Sequence, residues 1–219
     1  MFIKAYAVIM ALLFTPHTQV VSVNDAKHLL DVSVLLRIKG YVINPETNET
    51  KRVMAGCSGT FISNTEVLSA AHCFTFPTSD IWIRGNSPKT YRARIVKIDM
   101  ERDLALLKVE DIKKHPHAKL ASDTRVGEKV VNVGSPLMFE FLISEGIVAK
   151  LAYKIRDKGY KSGYTITTAM INSGSSGGGA FNDKGELIGV NTMSVGWFGW
   201  TGISMAVDVT TVRAFLKGK

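Results

Sequence analysis

Three short segments of this chain carry residue types that could together cleave an acyl bond. The first is Ser69-Ala70-Ala71-His72-Cys73, an imidazole after a run of small residues. The second is Asp103, a carboxylate at the mouth of the very apolar run 104–109. The third is Asn172-Ser173-Gly174-Ser175-Ser176-Gly177-Gly178-Gly179, hydroxyls set among glycines. Singly, each has an ordinary reading: a buried structural imidazole, a strand-start residue, a flexible loop. The third could also cradle a phosphate, but no Lys-Ser/Thr follows it as in a P-loop. Together they fit one mechanism. A serine hydroxyl is a poor nucleophile at neutral pH and needs an adjacent base. A histidine can take its proton and return it to the leaving group. A buried carboxylate fixes the imidazole tautomer and stabilises the imidazolium. Backbone N–H groups aimed at the developing oxyanion contribute about 3 kcal/mol per donor. Glycines beside the serine let the backbone turn sharply enough to present them.

Two choices remain within these segments. Ser173 and Ser175 neighbour Ser176, and only Ser176 precedes Gly-Gly. Asp99 rivals Asp103 as the carboxylate. Gly174-Ser175-Ser176-Gly177-Gly178 also matches Gly-x-Ser-x-Gly by letter. That motif belongs on a strand-to-helix turn with serine first in chain order, and neither condition holds here.

The elements that must position these groups read mostly as strands. Apolar and β-branched runs recur at 32–42, 59–62, 81–84, 91–98, 104–109, 129–133, 141–151, 164–168, 179–181, 187–192 and 202–207. Turn signals such as Asn44-Pro45, Gly85-Asn86, Ser135-Pro136 and Lys184-Gly185 punctuate them. Many short strands without long helices mean an all-β fold of sandwich or barrel type. The polar stretch 110–125 reads as a link between two β lobes. It holds His115 and His117, which without further ligands nearby are solvated residues rather than a metal pair. No metal and no other cofactor is expected. At the end, Asp208 can cap a helix over which Val209, Val212, Phe215 and Leu216 recur at helical spacing.

The 219 residues suit one domain or two small lobes packed as one unit. The net charge of +8 is carried by scattered lysines and arginines with no long run, so it reads as a basic soluble surface and not as a nucleic-acid site. Lys4 followed by the apolar stretch 5–14, with Val20 and Ser22 small enough to flank a cut, matches a secretory signal peptide over 1–22; an uncleaved membrane anchor or a hydrophobic first strand is the alternative. The parts are then the leader 1–22, a first lobe 23–118 carrying histidine and aspartate, and a second lobe 119–219 carrying serine and the terminal helix. Cys57 and Cys73 are the only cysteines. In an oxidising compartment they can bridge, stabilising the fold by roughly 3 kcal/mol. Two free thiols are the alternative; the position of Cys73 beside His72 argues for the bridge.

These segments, taken in order, resemble a trypsin-like (chymotrypsin-fold) serine protease, closest to the protease domain of the HtrA/Deg family. The likeness rests on 69–73, 103–109, Gly134-Ser135-Pro136, Ser144-Glu145-Gly146-Ile147-Val148, 171–178, 185–192 and 202–207. The chain order His, Asp, Ser is that of this arrangement. The resemblance implies two antiparallel β-barrels of the chymotrypsin-like type with a short C-terminal helix and the site in the cleft between them. It implies His72 as base, Asp103 as its orienter and Ser176 as nucleophile. The N–H groups of Gly174 and Ser176 would form the oxyanion hole, and the Thr192 hydroxyl would support the aspartate. Met193, Ser194 and Val195 would offer an edge strand for a substrate peptide. Cys57–Cys73 would be the disulfide that pins the histidine loop. Met170 stands near where a preference for Lys or Arg would need an acid, so small or medium apolar residues are expected before the cut bond.

Two departures stand out. Ser175 replaces the aspartate that in digestive enzymes pairs with a new N-terminus, so activation by that ion pair is not expected. No PDZ segment follows in this sequence. The aromatic run 195–200 reads equally as a substrate or membrane contact and as packing against the second lobe. The expected activity is that of an exported serine endopeptidase on protein or peptide substrates, without nucleic acid as a partner. A peptide-binding homologue that does not cut, or an esterase with the same triad, are the alternatives.

Overall fold

The computed structural model describes residues 23–154, 161–197 and 200–218. The expected leader over 1–22 and part of the aromatic run therefore lie outside the described residues. Twelve strands form two closed antiparallel barrels. The first is built from β1 (Ser33–Ile43), β2 (Thr50–Phe61), β3 (Glu66–Ser69), β4 (Thr78–Arg84), β5 (Thr90–Asp99) and β6 (Leu104–Val109), in the order β1-β2-β3-β6-β5-β4. The second uses β7 (Lys129–Gly134), β8 (Leu142–Tyr153), β9 (Tyr164–Thr167), β10 (Gly179–Phe181), β11 (Leu187–Trp197) and β12 (Trp200–Asp208), in the order β10-β11-β12-β9-β8-β7. The all-β fold is as the strand pattern implied, and the two barrels are as the family resemblance implied.

Strand β6 shows why its sequence is apolar without alternation. Side chains on a strand point alternately to its two faces. Ala105, Leu107 and Val109 fill the first barrel with Val34, Leu36 and Phe61. Leu104 and Leu106 face the other way, into a cluster with Val131, Val133, Phe181 and Val207 of the second barrel. Both faces of β6 are buried, so neither can be polar. The seam between the barrels is thus a continuous apolar layer, and Asp103 stands at its rim.

Two helices close this layer. The terminal helix α2 (Val209–Lys217) follows the sequence expectation: the Asp208 carboxylate accepts from Thr211 N–H at 2.7 Å, and Val212 and Phe215 are buried. Lys97 of the first barrel donates to the carbonyls of Phe215 and Gly218 at 2.6 and 3.0 Å. It satisfies helix-end acceptors that otherwise lack partners. Helix α1 (Val23–Val32) precedes β1, where the sequence reading placed no element before a strand starting at Val32. Leu29 and Val32, three residues apart and so on one face, enter the inter-barrel cluster, and Ser33 Oγ donates to Leu29 O at 2.7 Å at the helix end. Ten residues with so narrow an apolar stripe leave a weak periodic signal. The linker is pinned as well: Ala118 N–H donates to Phe61 O, and His115 stacks on the Phe61 ring at 3.8 Å.

Candidate active site

Topology brings His72 to Asp103. Strands β3 and β6 run antiparallel with Ser69 opposite Ala105, so the chain leaving β3 meets the chain entering β6. Just past β3, a single 3-10 turn (Ala71–Phe74) carries the histidine. The Asp103 carboxylate takes three bonds from it: one from His72 backbone N–H at 2.9 Å, and contacts from ring Nδ1 at 2.9 and 3.0 Å to its two oxygens. Asp103 has φ +54°, a left-handed conformation that aspartate tolerates better than most side chains. Its side chain is 7% exposed and that of His72 is 41% exposed. The imidazole therefore has one nitrogen held by a buried carboxylate and the rest of the ring open to the cleft. Thr192, on β11 of the other barrel, donates its hydroxyl to the same carboxylate. Asp99, the rival carboxylate, is bound by Arg102 through both its side chain at 2.6 Å and its backbone N–H at 2.9 Å. Those bonds and the Arg102 charge outweigh burial, which pushes the other way, and hold the Asp99 carboxyl below its ordinary range.

Cys57 of β2 and Cys73 are joined in a disulfide. It ties the histidine turn to the strand where the first barrel touches the Ser176 loop. Ser58, the next residue, donates its N–H to Ser176 O at 2.8 Å, and Cys73 Sγ lies 3.9 Å from the same oxygen. With no S–H in a disulfide, this last is a contact and not a hydrogen bond. Ser176 is thus held beside the residue that follows His72. Its hydroxyl makes no hydrogen bond to the His72 ring among the described residues.

The loop around Ser176 is fixed by its backbone. Ser175 N–H donates to Asn172 O, Gly178 N–H to Ser175 O and Gly177 N–H to Asn191 O, at 2.7 to 3.0 Å. Ser173 O accepts from Leu137 N–H at 2.7 Å. Across a trans peptide the next N–H, that of Gly174, points to the opposite side. Among the described residues the N–H groups of Gly174 and Ser176 donate to nothing. Two glycines are obligatory. Gly174 has φ +97°, and Gly177 has φ +87°, where a Cβ would lie 2.2 Å from Ser69 Oγ and 2.3 Å from Ser58 O.

The expected substrate residues separate into two places. Met170, 62% exposed, lines a cavity of about 300 Å³ with Leu137, Ile171, Asn172 and Ser175. Met193 and Ser194 are not among its described lining residues. They lie on β11, paired on one side with Met205 and Ser204 of β12; Val195 continues the register opposite Ile203. On the other side, pairing with β10 ends at Val190, so 193–195 present an edge with no strand beside it among the described residues. Sequence reasoning missed Ser58. Its only local sign is a hydroxyl next to Cys57, and its partners Gly174 and Ser176 lie more than a hundred residues away.

The fold resembles that of an HtrA-type protease, AlgW, solved in variant form with a decapeptide: TM-score 0.80 at 22% identity, over 89% of this chain and 64% of that one. Residues 57–190 match the model of the trypsin-like peptidase domain. The chain belongs to the trypsin-like peptidase family. This trypsin-like domain is 35% identical to serine protease HTRA4 of Mus musculus over 80% of its own length and 36% of the relative's. It is 34% identical to serine protease HTRA1 of Xenopus tropicalis over 72% and 33%, and 33% identical to serine protease HTRA3 of Homo sapiens over 73% and 35%. The chain spans about a third of the length of these curated relatives.

Proposed function

We propose that this trypsin-like domain is an exported serine endopeptidase that cuts peptide bonds through an acyl-enzyme. The observation that carries the reading is the His72 ring held at Nδ1 by buried Asp103, with Ser176 anchored next to Cys73. With Nδ1–H committed to the carboxylate, the neutral ring keeps its lone pair on Nε2. That nitrogen takes the Ser176 proton as Oγ attacks the substrate carbonyl. The oxyanion forms against the free N–H groups of Gly174 and Ser176. Imidazolium then protonates the leaving amine, and a water activated by the same ring hydrolyses the ester. The unpaired edge at 193–195 supports binding of an extended peptide as an added strand. The apolar surroundings of Met170 support a preference for small or medium apolar residues before the cut bond. A peptide library cleaved mainly after Lys or Arg would overturn that preference. The Cys57–Cys73 bridge supports an oxidising compartment and hence export.

The test is digestion of casein together with labelling by a fluorophosphonate. Wild type should do both, and Ser176→Ala neither. The missing Ser176–His72 bond favours one other reading, a peptide binder that does not cut. Wild-type protein that captures peptide but neither labels nor cleaves would establish it instead.

A further inference from the structure

The structure assigns Ser58 as a positioning residue for the oxyanion-binding backbone, a role that rests on the proposed catalytic reading of Ser176. Ser58 sits on β2 of the first barrel and is 1% exposed. Its four polar functions are all used, and they reach both halves of the site. Its N–H donates to Ser176 O at 2.8 Å. Its hydroxyl donates to Gly174 O at 2.8 Å and accepts from Ser135 N–H at 2.8 Å. Its carbonyl accepts from Ser69 Oγ at 2.8 Å, three residues before His72.

Gly174 and Ser176 are the two residues whose N–H groups are free. Ser58 holds the carbonyl of each. A carbonyl fixed in direction fixes the peptide plane that begins at its residue, and so limits how far that residue's own N–H can swing. At Gly174 the limit matters most, because glycine at φ +97° has no Cβ to oppose rotation. Leu137 N–H holds the plane before Gly174, and the Ser58 hydroxyl holds the plane after it. The hydroxyl is itself oriented, since accepting from Ser135 N–H directs its proton toward Gly174 O. Ser58 touches no substrate in this arrangement. It acts through Gly174.

Removing the hydroxyl should leave the edge strand at 193–195 intact while loosening one oxyanion donor. Loss of a whole donor lowers kcat by about 10²- to 10³-fold, so loss of its support should lower kcat by about 10- to 100-fold. The experiment measures kcat and KM on a peptide substrate, and affinity for a peptide boronate that mimics the tetrahedral state, in wild type, Ser58→Ala, Ser58→Thr and Ser176→Ala. The expected result for Ser58→Ala is a kcat loss in that range, KM within about twofold, and boronate affinity falling in step with kcat. Ser58→Thr, which keeps the hydroxyl, should recover most of both. Equal kcat in wild type and Ser58→Ala, or a loss confined to KM, overturns the assignment. So does a kcat loss without loss of boronate affinity, which would mark a purely structural effect. If Ser58→Ala does not fold, Ser58→Val against Ser58→Thr repeats the comparison at constant shape. Activity surviving in Ser176→Ala would instead overturn the catalytic reading, whatever Ser58 does.

Discussion

The two sides of the cleft are built by different means. Around His72, side chains do the holding: the Asp103 carboxylate binds the His72 ring and backbone, and Thr192 binds the carboxylate. Around Ser176, mostly backbone groups hold backbone groups, joined by the Ser58 hydroxyl, and the space exists because Gly174 and Gly177 lack a Cβ. A site of the first kind should lose function when a side chain is changed while the fold survives. A site of the second kind should lose the fold of its loop when a side chain is added.

The sharpest contrast begins with His72→Ala. It should lower kcat by about 10⁶-fold with little change in melting temperature, because the ring is half-exposed and supports no core. A large drop in melting temperature would show that the His72 side is structural after all. Asp103→Asn should cost about 10⁴-fold in kcat, the amide holding the ring in the wrong tautomer. Gly177→Ala tests the other side. Its methyl would press on Ser69 and Ser58 in a backbone conformation that L residues avoid, so a loss of at least about 3 kcal/mol in stability is expected by urea unfolding. A stable and active Gly177→Ala would break the comparison.

Smaller effects refine it. Replacing Cys57 and Cys73 together by serine should cost about 3 kcal/mol for a 16-residue separation, and should loosen both sides at once because the bridge touches both. Thr192→Val removes one bond to the Asp103 carboxylate and should lower kcat by roughly 10-fold, about 1.4 kcal/mol. The smallest concerns Asp99, whose carboxyl is depressed in the folded state. A depressed carboxyl adds stability above its unfolded pKa of about 3.9, and loses it as pH falls through the folded value. The stability gap between wild type and Asp99→Asn should therefore be constant near neutrality and close on acidification below about pH 4. A gap unchanged down to pH 3 would mean that the Arg102 pair contributes nothing through charge.

Much of the fold was legible because its signals are local. The strand runs, the Asp208 cap and the spacing of Val212 and Phe215 follow from period and capping chemistry, which a few adjacent residues express. Helix α1 was not legible, since Leu29 and Val32 make sense only against a cluster that the second barrel completes. Within the site, His72, Asp103 and Ser176 announced themselves by residue type among small residues and glycines. Ser58 did not, because a serine after a cysteine is unremarkable until Gly174 and Ser176 fold against it.

By itself the sequence determined which groups could react and where the short strands and the terminal helix fall, since these depend on covalent chemistry and near neighbours. The tertiary structure alone decided that Asp103 and not Asp99 faces His72, that Thr192 reaches across from the other barrel, and that one hydroxyl on β2 steadies the serine loop. Those choices depend on strand register and barrel closure, which bring together groups separated by tens to more than a hundred residues, and no local pattern encodes a distance of that kind.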